Sequence, residues 1–214
     1  HKPDRRQRQM CIRDRRRTDR RDLIEMDLNK VSINAERFVG IPFEPGIVGC
    51  GKSHLAVMKL AKERGYKNVL ILEDDFTFLV PRGVLDESLD KFFDDVGDNY
   101  DVCMLCCQNL EEKEEKPFPY LSRVHHANNA SAYLINGTYL DTIIGLYEWA
   151  FPLLESTGEH WNYANDQVWM RLQENDRWFV FNPRLGKQRS GYSDNAKRFM
   201  DLSLIHISEP TRPL

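Results

Sequence analysis

The sequence predicts a single α/β domain whose sheet is at least partly parallel. Four short apolar runs, Asn68–Leu72, Tyr100–Cys107, Ala130–Ile135 and Trp178–Phe181, lack polar alternation, as strands covered on both faces do. Helical patterns separate them at Leu85–Asp94, Thr138–Leu154 and Asp166–Gln173, the alternation that builds α/β sheets. The first of the four runs ends abruptly in three carboxylates.

Before that run the elements are weaker. Arg16–Arg21 is a basic run that Asp22–Lys30 continues as a short helix. Glu36–Ile47, punctuated by Gly40, Pro42, Pro45 and Gly46, reads as a loop. His54–Arg64 has helical periodicity, with Leu55, Met58 and Ala61 on one face and Lys59, Lys62 and Glu63 turned out. Gly65 stops it. No internal repeat or low-complexity linker divides the chain, and 214 residues with 41% hydrophobic content bury one ordinary core.

The two ends read as foreign to this domain. Met10–Arg15 and Leu202–Ile207 back-translate to one inverted repeat, as read-through of a flanking oligonucleotide would. His1–Arg15 and Leu202–Leu214 are therefore set aside as non-native tails, leaving 16–201 as the domain. The first fifteen residues carry a net +4 and the last thirteen none, so the formal charge of −3 becomes −7 for the body. An acidic body argues against nucleic acid as a partner. No apolar run reaches the length of a membrane span, and no signal-peptide pattern opens the chain, so the default location is the cytoplasm. Cys50, Cys103, Cys106 and Cys107 read as small buried side chains; strand alternation sends Cys103 and Cys107 to one face and Cys106 to the other.

Ligands of open α/β sheets bind beyond the carboxyl ends of the strands, where Val69–Leu72 delivers Glu73, Asp74 and Asp75. Adjacent carboxylates repel one another unless solvated or neutralised, so the triplet is either a solvated acidic turn or a seat for Mg²⁺ or Mn²⁺. Gly49–Lys52 is not read as a phosphate loop.

The motif Gly49-Cys50-x-x-Ser53-His54, a helix, and then Ile71-Leu72-Glu73-Asp74-Asp75 resembles glycosyltransferase family 25, which includes lipopolysaccharide sugar transferases and collagen galactosyltransferases. Weaker matches are Arg17-Thr18-Asp19-Arg20-Arg21, Glu36-Arg37-Phe38, Ala132-Tyr133-Leu134-Ile135 and Ser190-Gly191-Tyr192-Ser193-Asp194, so the likeness covers almost all of 16–201. It implies a GT-A type nucleotide-binding sheet with helices on both faces, a UDP-sugar donor (galactose foremost), inversion at the anomeric carbon, and Mn²⁺ or Mg²⁺ as cofactor. The implied acceptor is a glycan, lipid-linked or hydroxylysine-type hydroxyl.

The resemblance also assigns roles. Glu73 and Asp75 become the metal ligands, and Asp74 binds ribose or sugar. Ser53 and His54 are expected to open a helix whose free N–H groups suit anionic oxygens. Arg17 and Arg20 neutralise diphosphate or belong to a solvated basic turn. Asp166 is either the base that takes the acceptor proton or a helix-terminal carboxylate. Glu159 is a lesser candidate base; His125, His126 and Asp194 are further candidates near metal or donor; Trp161 and Tyr163 are acceptor platforms or core. One departure stands out: a tail set aside as foreign occupies the place of the family's first strand. Met10, Cys11 and Ile12 are apolar enough to pair there by accident. The rival readings are a sugar nucleotidyltransferase and a binding module of the same fold without catalysis.

Overall fold

The computed structural model describes residues 8–13, 18–110, 117–193 and 198–200. The chain runs β1 (Arg8–Arg13), α1 (Thr18–Lys30), β2 (Glu36–Val39), α2 (Gly46–Glu63), β3 (Asn68–Glu73), β4 (Phe76–Phe78), α3 (Arg82–Asp95), β5 (Val102–Met104) and β6 (Leu121–Arg123). It continues through β7 (Ala132–Asn136), α4 (Leu140–Thr157), α5 (His160–Tyr163), α6 (Asn165–Val168), α7 (Met170–Gln173), β8 (Trp178–Phe181), β9 (Gly186–Gln188), β10 (Gly191–Ser193) and β11 (Arg198–Met200).

Seven strands form one sheet in the order β2-β1-β3-β7-β5-β8-β6. β1 pairs in parallel with β2 and β3, and β5 with β8. β7 lies between β3 and β5 and runs antiparallel to both, while β6 runs antiparallel to β8. The sheet is thus mixed. Its face alternation is visible along β3, where Val69 and Ile71 pack with α2 and α4 while Leu70 and Leu72 pack with α1 and α3. All four side chains are buried, worth about 1.5–3 kcal/mol each for the larger ones. Helices on both faces follow from strands that are apolar on both faces.

Several elements differ from expectation. β1 is drawn from the segment set aside as non-native, pairs on both its edges near the parallel end of the sheet, and buries Met10 completely. The remainder of the two tails, residues 1–7, 14–15 and 202–214, lies outside the described residues. β2 stands in the expected loop as a largely exposed edge strand, held by its backbone ladder rather than by apolar side chains. The helical pattern of 166–173 breaks at Trp169 into α6 and α7. Cys103 and Cys106 share the α1–α3 face and Cys107 lies opposite, because β5 ends at Met104 and strict alternation ends with it.

α2 begins at Gly46, eight residues before its expected start. Three glycines at 46, 49 and 51 lower helix propensity and hide the first two turns. Two of them are contact glycines. A Cβ on Gly49 would meet the Ile41 carbonyl at 2.6 Å, and one on Gly51 would meet the Phe151 ring of α4 at 2.9 Å. Gly49→Ala is therefore expected to destabilise the fold by about 1–3 kcal/mol, because backbone has to yield. Urea denaturation checks it, and an unchanged midpoint would refute the packing argument.

α1 is fastened from beneath. Asp27, buried, accepts hydrogen bonds from Thr77 of β4, from Lys30 and from Arg189 beyond β9. These contacts hold its carboxyl below the usual range against the burial that would raise it. Among the described residues no helix is long and apolar enough to cross a membrane.

Candidate active site

The three carboxylates arrive where β3 gives way to the turn before β4, and each finds different partners. Glu73 Oε1 accepts a hydrogen bond from His54 Nε2 at 2.7 Å, with Cys50 Sγ at 3.7 Å. Asp74 and Asp75 share Arg20 of α1, whose Nη1 stands 3.5 Å from one and 3.3 Å from the other. Asp75 Oδ2 also accepts from Gln188 Nε2 at 3.0 Å. Its second oxygen, Oδ1, is buried and has no hydrogen-bond partner among the described residues.

Those surroundings separate the two outer carboxyls. Burial, and then the charge of Glu73, push Asp75 up to about 7, against the pull of Gln188 and Arg20. Burial would raise Glu73 too, but the hydrogen bond and charge of His54, helped by Cys50 and Arg20, hold it below the usual carboxylate range. Asp166 is raised by burial and by Glu73, although Asn129 N–H donates to its Oδ2 at 3.1 Å and opposes the shift. The Cys50 thiol is pushed far up by burial and by Glu73, Asp166 and Asp75. The fold thus brings Cys50 of α2, Glu73 at the end of β3, Asp75 in the turn after it and Asp166 of α6 close enough for their charges to act on one another.

Gln188 ties Asp75 to Asn129. It donates to Asp75 while its Oε1 accepts from Asn129 Nδ2 at 3.0 Å and Gln108 Nε2 at 3.4 Å. Sequence reasoning missed it, since a glutamine on a short strand carries no local mark of function. Asn129 was missed for the same reason, although its backbone and side chain reach Asp166 and Gln188 respectively.

The Gly-Cys-x-x-Ser-His motif resolves into two stripes on α2. Gly49 and Ser53 face the strand β2 connection: Ser53 Oγ donates to Gly49 O at 2.7 Å and accepts from Ile41 N at 2.8 Å. Cys50 and His54 face Glu73. This corrects the expectation for Ser53 and His54, which lie in mid-helix with no free N–H groups to offer. Ser53 is a fastener of the loop. His54 is fully buried, with Tyr133 Oη 2.5 Å from Nδ1 and Glu73 on Nε2, so it orients a carboxylate instead of touching a donor.

Gly46–Ser53 does spell G-x-x-x-x-G-K-S, so the letters alone do not exclude a phosphate loop. The conformation does. All eight residues are helical, Lys52 Nζ pairs with Glu155 at 2.8 Å, and it lies over the Phe43 ring.

Of the other expected residues, Arg20 joins Asp74 and Asp75, while Arg17 and Asp194 lie outside the described residues. His125 Nδ1 lies 3.5 Å from a Glu174 oxygen and His126 is exposed. Glu159 accepts from Asn162 ahead of α5. Tyr163 packs edge-on to Trp149, whereas Trp161 is 61% exposed. The orphaned Asp75 Oδ1 is an oxygen donor of the kind that suits Mn²⁺ or Mg²⁺.

No family model and no curated protein sequence matches the chain. Solved structures do. A197 from STIV superposes with a TM-score of 0.52 at 12% identity, covering 90% of this chain and 93% of that one. A glycosyltransferase involved in the glycosylation of the major capsid of PBCV-1 superposes with a TM-score of 0.51 at 11% identity, covering 81% of each. At these identities the likeness is one of fold: a mixed α/β sheet of GT-A type with helices on both faces.

Proposed function

We propose that this chain is a metal-assisted, inverting glycosyltransferase similar to family 25, with UDP-galactose as the first donor to test. The observation that carries the proposal is Asp75 Oδ1, a buried oxygen without a partner, set among carboxyls at the carboxyl end of β3. The likeness of fold to a glycosyltransferase and the Gly-Cys-x-x-Ser-His to Glu-Asp-Asp spacing support it.

In this reading Asp75, with Glu73 beside it, holds Mn²⁺ or Mg²⁺, which supplies positive charge where the nucleoside diphosphate departs. Arg20 adds a guanidinium on the same side. Asp74 faces the ribose or sugar. Asp166 takes the proton of the acceptor hydroxyl as the acceptor oxygen bonds to the anomeric carbon and the carbon–phosphate oxygen bond breaks. Its burial favours that role, since a carboxyl raised above the usual range is a better base than a solvated one. His54 keeps Glu73 ionised and aimed. The acceptor is a glycan, lipid-linked or hydroxylysine-type hydroxyl.

The test is nucleotide release from a panel of sugar nucleotides, with acceptor mixtures, in Mn²⁺ and in chelator. UDP released with Mn²⁺ and not with chelator is the expected outcome. Pyrophosphate released from a nucleoside triphosphate and a sugar phosphate would identify a nucleotidyltransferase instead. Donor binding without turnover by the folded protein would identify a binding module.

A further inference from the structure

We propose that Cys50, His54 and Glu73 form a site for a thiophilic dication such as Zn²⁺, which shares Glu73 with the hard-cation corner at Asp75. Cys50 and His54 stand four residues apart on α2 and so share one face of it, and Glu73 ends β3 opposite them. The sulfur, a ring nitrogen and a carboxylate oxygen all lie within 4.8 Å of one another. The inference stands whether or not the chain transfers sugar, although Glu73 serves in both readings.

The geometry is close to what zinc requires. Ordinary zinc bond lengths at a tetrahedral angle put sulfur and oxygen about 3.5 Å apart, and nitrogen and oxygen about 3.3 Å apart. The Cys50 Sγ to Glu73 Oε1 separation is 3.7 Å, already within reach of that edge. His54 Nε2 and Glu73 Oε1 are 2.7 Å apart in the hydrogen-bonded state. That contact opens by about 0.6 Å to admit the ion, a small rotation of the Glu73 carboxylate.

The supports for such a ligand set are present. Zinc-ligating histidines usually anchor their second ring nitrogen, and Tyr133 Oη stands 2.5 Å from His54 Nδ1. Stacking on Tyr133 at 5.7 Å and 15° further fixes the ring plane. Asn165 Nδ2 lies 4.0 Å from Cys50 Sγ and steadies the sulfur. Binding is a balanced exchange: the Cys50 S–H proton leaves to solvent, the neutral His54 ring carries its single proton on Nδ1 toward Tyr133 Oη, and the cation takes the Nε2 lone pair and the thiolate. The charges of Asp166 and Asp75, which raise the thiol, also favour a cation in its place.

The donors decide which ion enters. Thiolate and imidazole favour Zn²⁺, Co²⁺ and Cd²⁺ over Mn²⁺ and Mg²⁺, whereas Asp75 offers oxygen alone. Two adjacent corners thereby sort cations by hardness.

Co²⁺ titration of the full chain tests the proposal, since cobalt bound to thiolate gives a charge-transfer band in the near ultraviolet. Wild type is expected to develop the band at one equivalent and to lose it on adding Zn²⁺. Cys50→Ser, shown folded by circular dichroism, is expected to lack the band and to bind Zn²⁺ at least tenfold more weakly. Cys11→Ser and Asp75→Asn are expected to retain it. No band in wild type, a band that persists in Cys50→Ser, or loss of the band in Asp75→Asn would each overturn the thiophilic site.

Discussion

Asp75→Asn is expected to cut metal-dependent nucleotide release by roughly 10²-fold or more while raising the stability of the metal-free protein. The first effect follows from losing the charge on the one carboxylate, among the described residues, that has a buried oxygen without a partner. The second follows from the cost of that charge in the empty site. Asp75 is raised from 3.8 to about 7 by burial and by Glu73, so the folded protein holds a proton there that the unfolded chain releases near pH 4. Its protonated form therefore favours folding fully below about pH 4, and that contribution is lost as pH rises to about 7. An amide carries no such penalty. In chelator at pH 8 the variant is expected to be the more stable by about 1–3 kcal/mol, after allowance for the weakened Arg20 contact. The gap should close toward pH 4. Thermal melts at pH 5 and 8, with and without Mn²⁺, measure both effects; Mn²⁺ should raise the wild-type midpoint and leave the variant unmoved. A variant less stable than wild type at pH 8 would show that Arg20 and Gln188 already compensate the charge.

Asp166→Asn is expected to lower kcat by about 10²–10⁴-fold with little change in donor affinity. Asp166 stands on the short helix α6, and its Oδ2 is steadied by a backbone N–H from Asn129. An amide keeps much of that geometry but accepts no proton. Because burial and Glu73 raise the Asp166 carboxyl, the acid limb of the wild-type kcat profile should lie above the range of a solvated aspartate. Steady-state kinetics across pH 4–8, together with donor binding by calorimetry, separate the two parameters. Equal losses in kcat and donor affinity would make Asp166 a structural residue instead.

What was legible in the sequence was what buried apolar runs can express. β8 falls on Trp178–Phe181 as read, and β3 lies one residue beyond its run, because each is covered on both faces. Direction is not expressed in such runs, so nothing in Ala132–Ile135 announces that β7 opposes both its neighbours. The start of α2 was hidden because Gly49 and Gly51 trade helix propensity for close contact with Ile41 and Phe151, a tertiary reason that local pattern does not carry. That error propagated into the site, giving Ser53 and His54 a helix terminus they do not have. The carboxylate triplet was legible because it interrupts a strand. Gln188 was not, since it meets Asp75 across 113 residues of chain.

The fastening of α1 bears on how fast this site can respond. Asp27 binds Thr77 and Arg189 at once, and Arg189 N–H in turn donates to the Asp75 carbonyl at 2.7 Å. For α1 to swing as a body, a buried ion pair has to break. Arg20 therefore leaves Asp74 and Asp75 by turning its own partly exposed side chain, a motion of nanoseconds or less. Entry of a diphosphate beside Asp75 then calls for the Arg20 side chain to turn aside while α1 stays where it is.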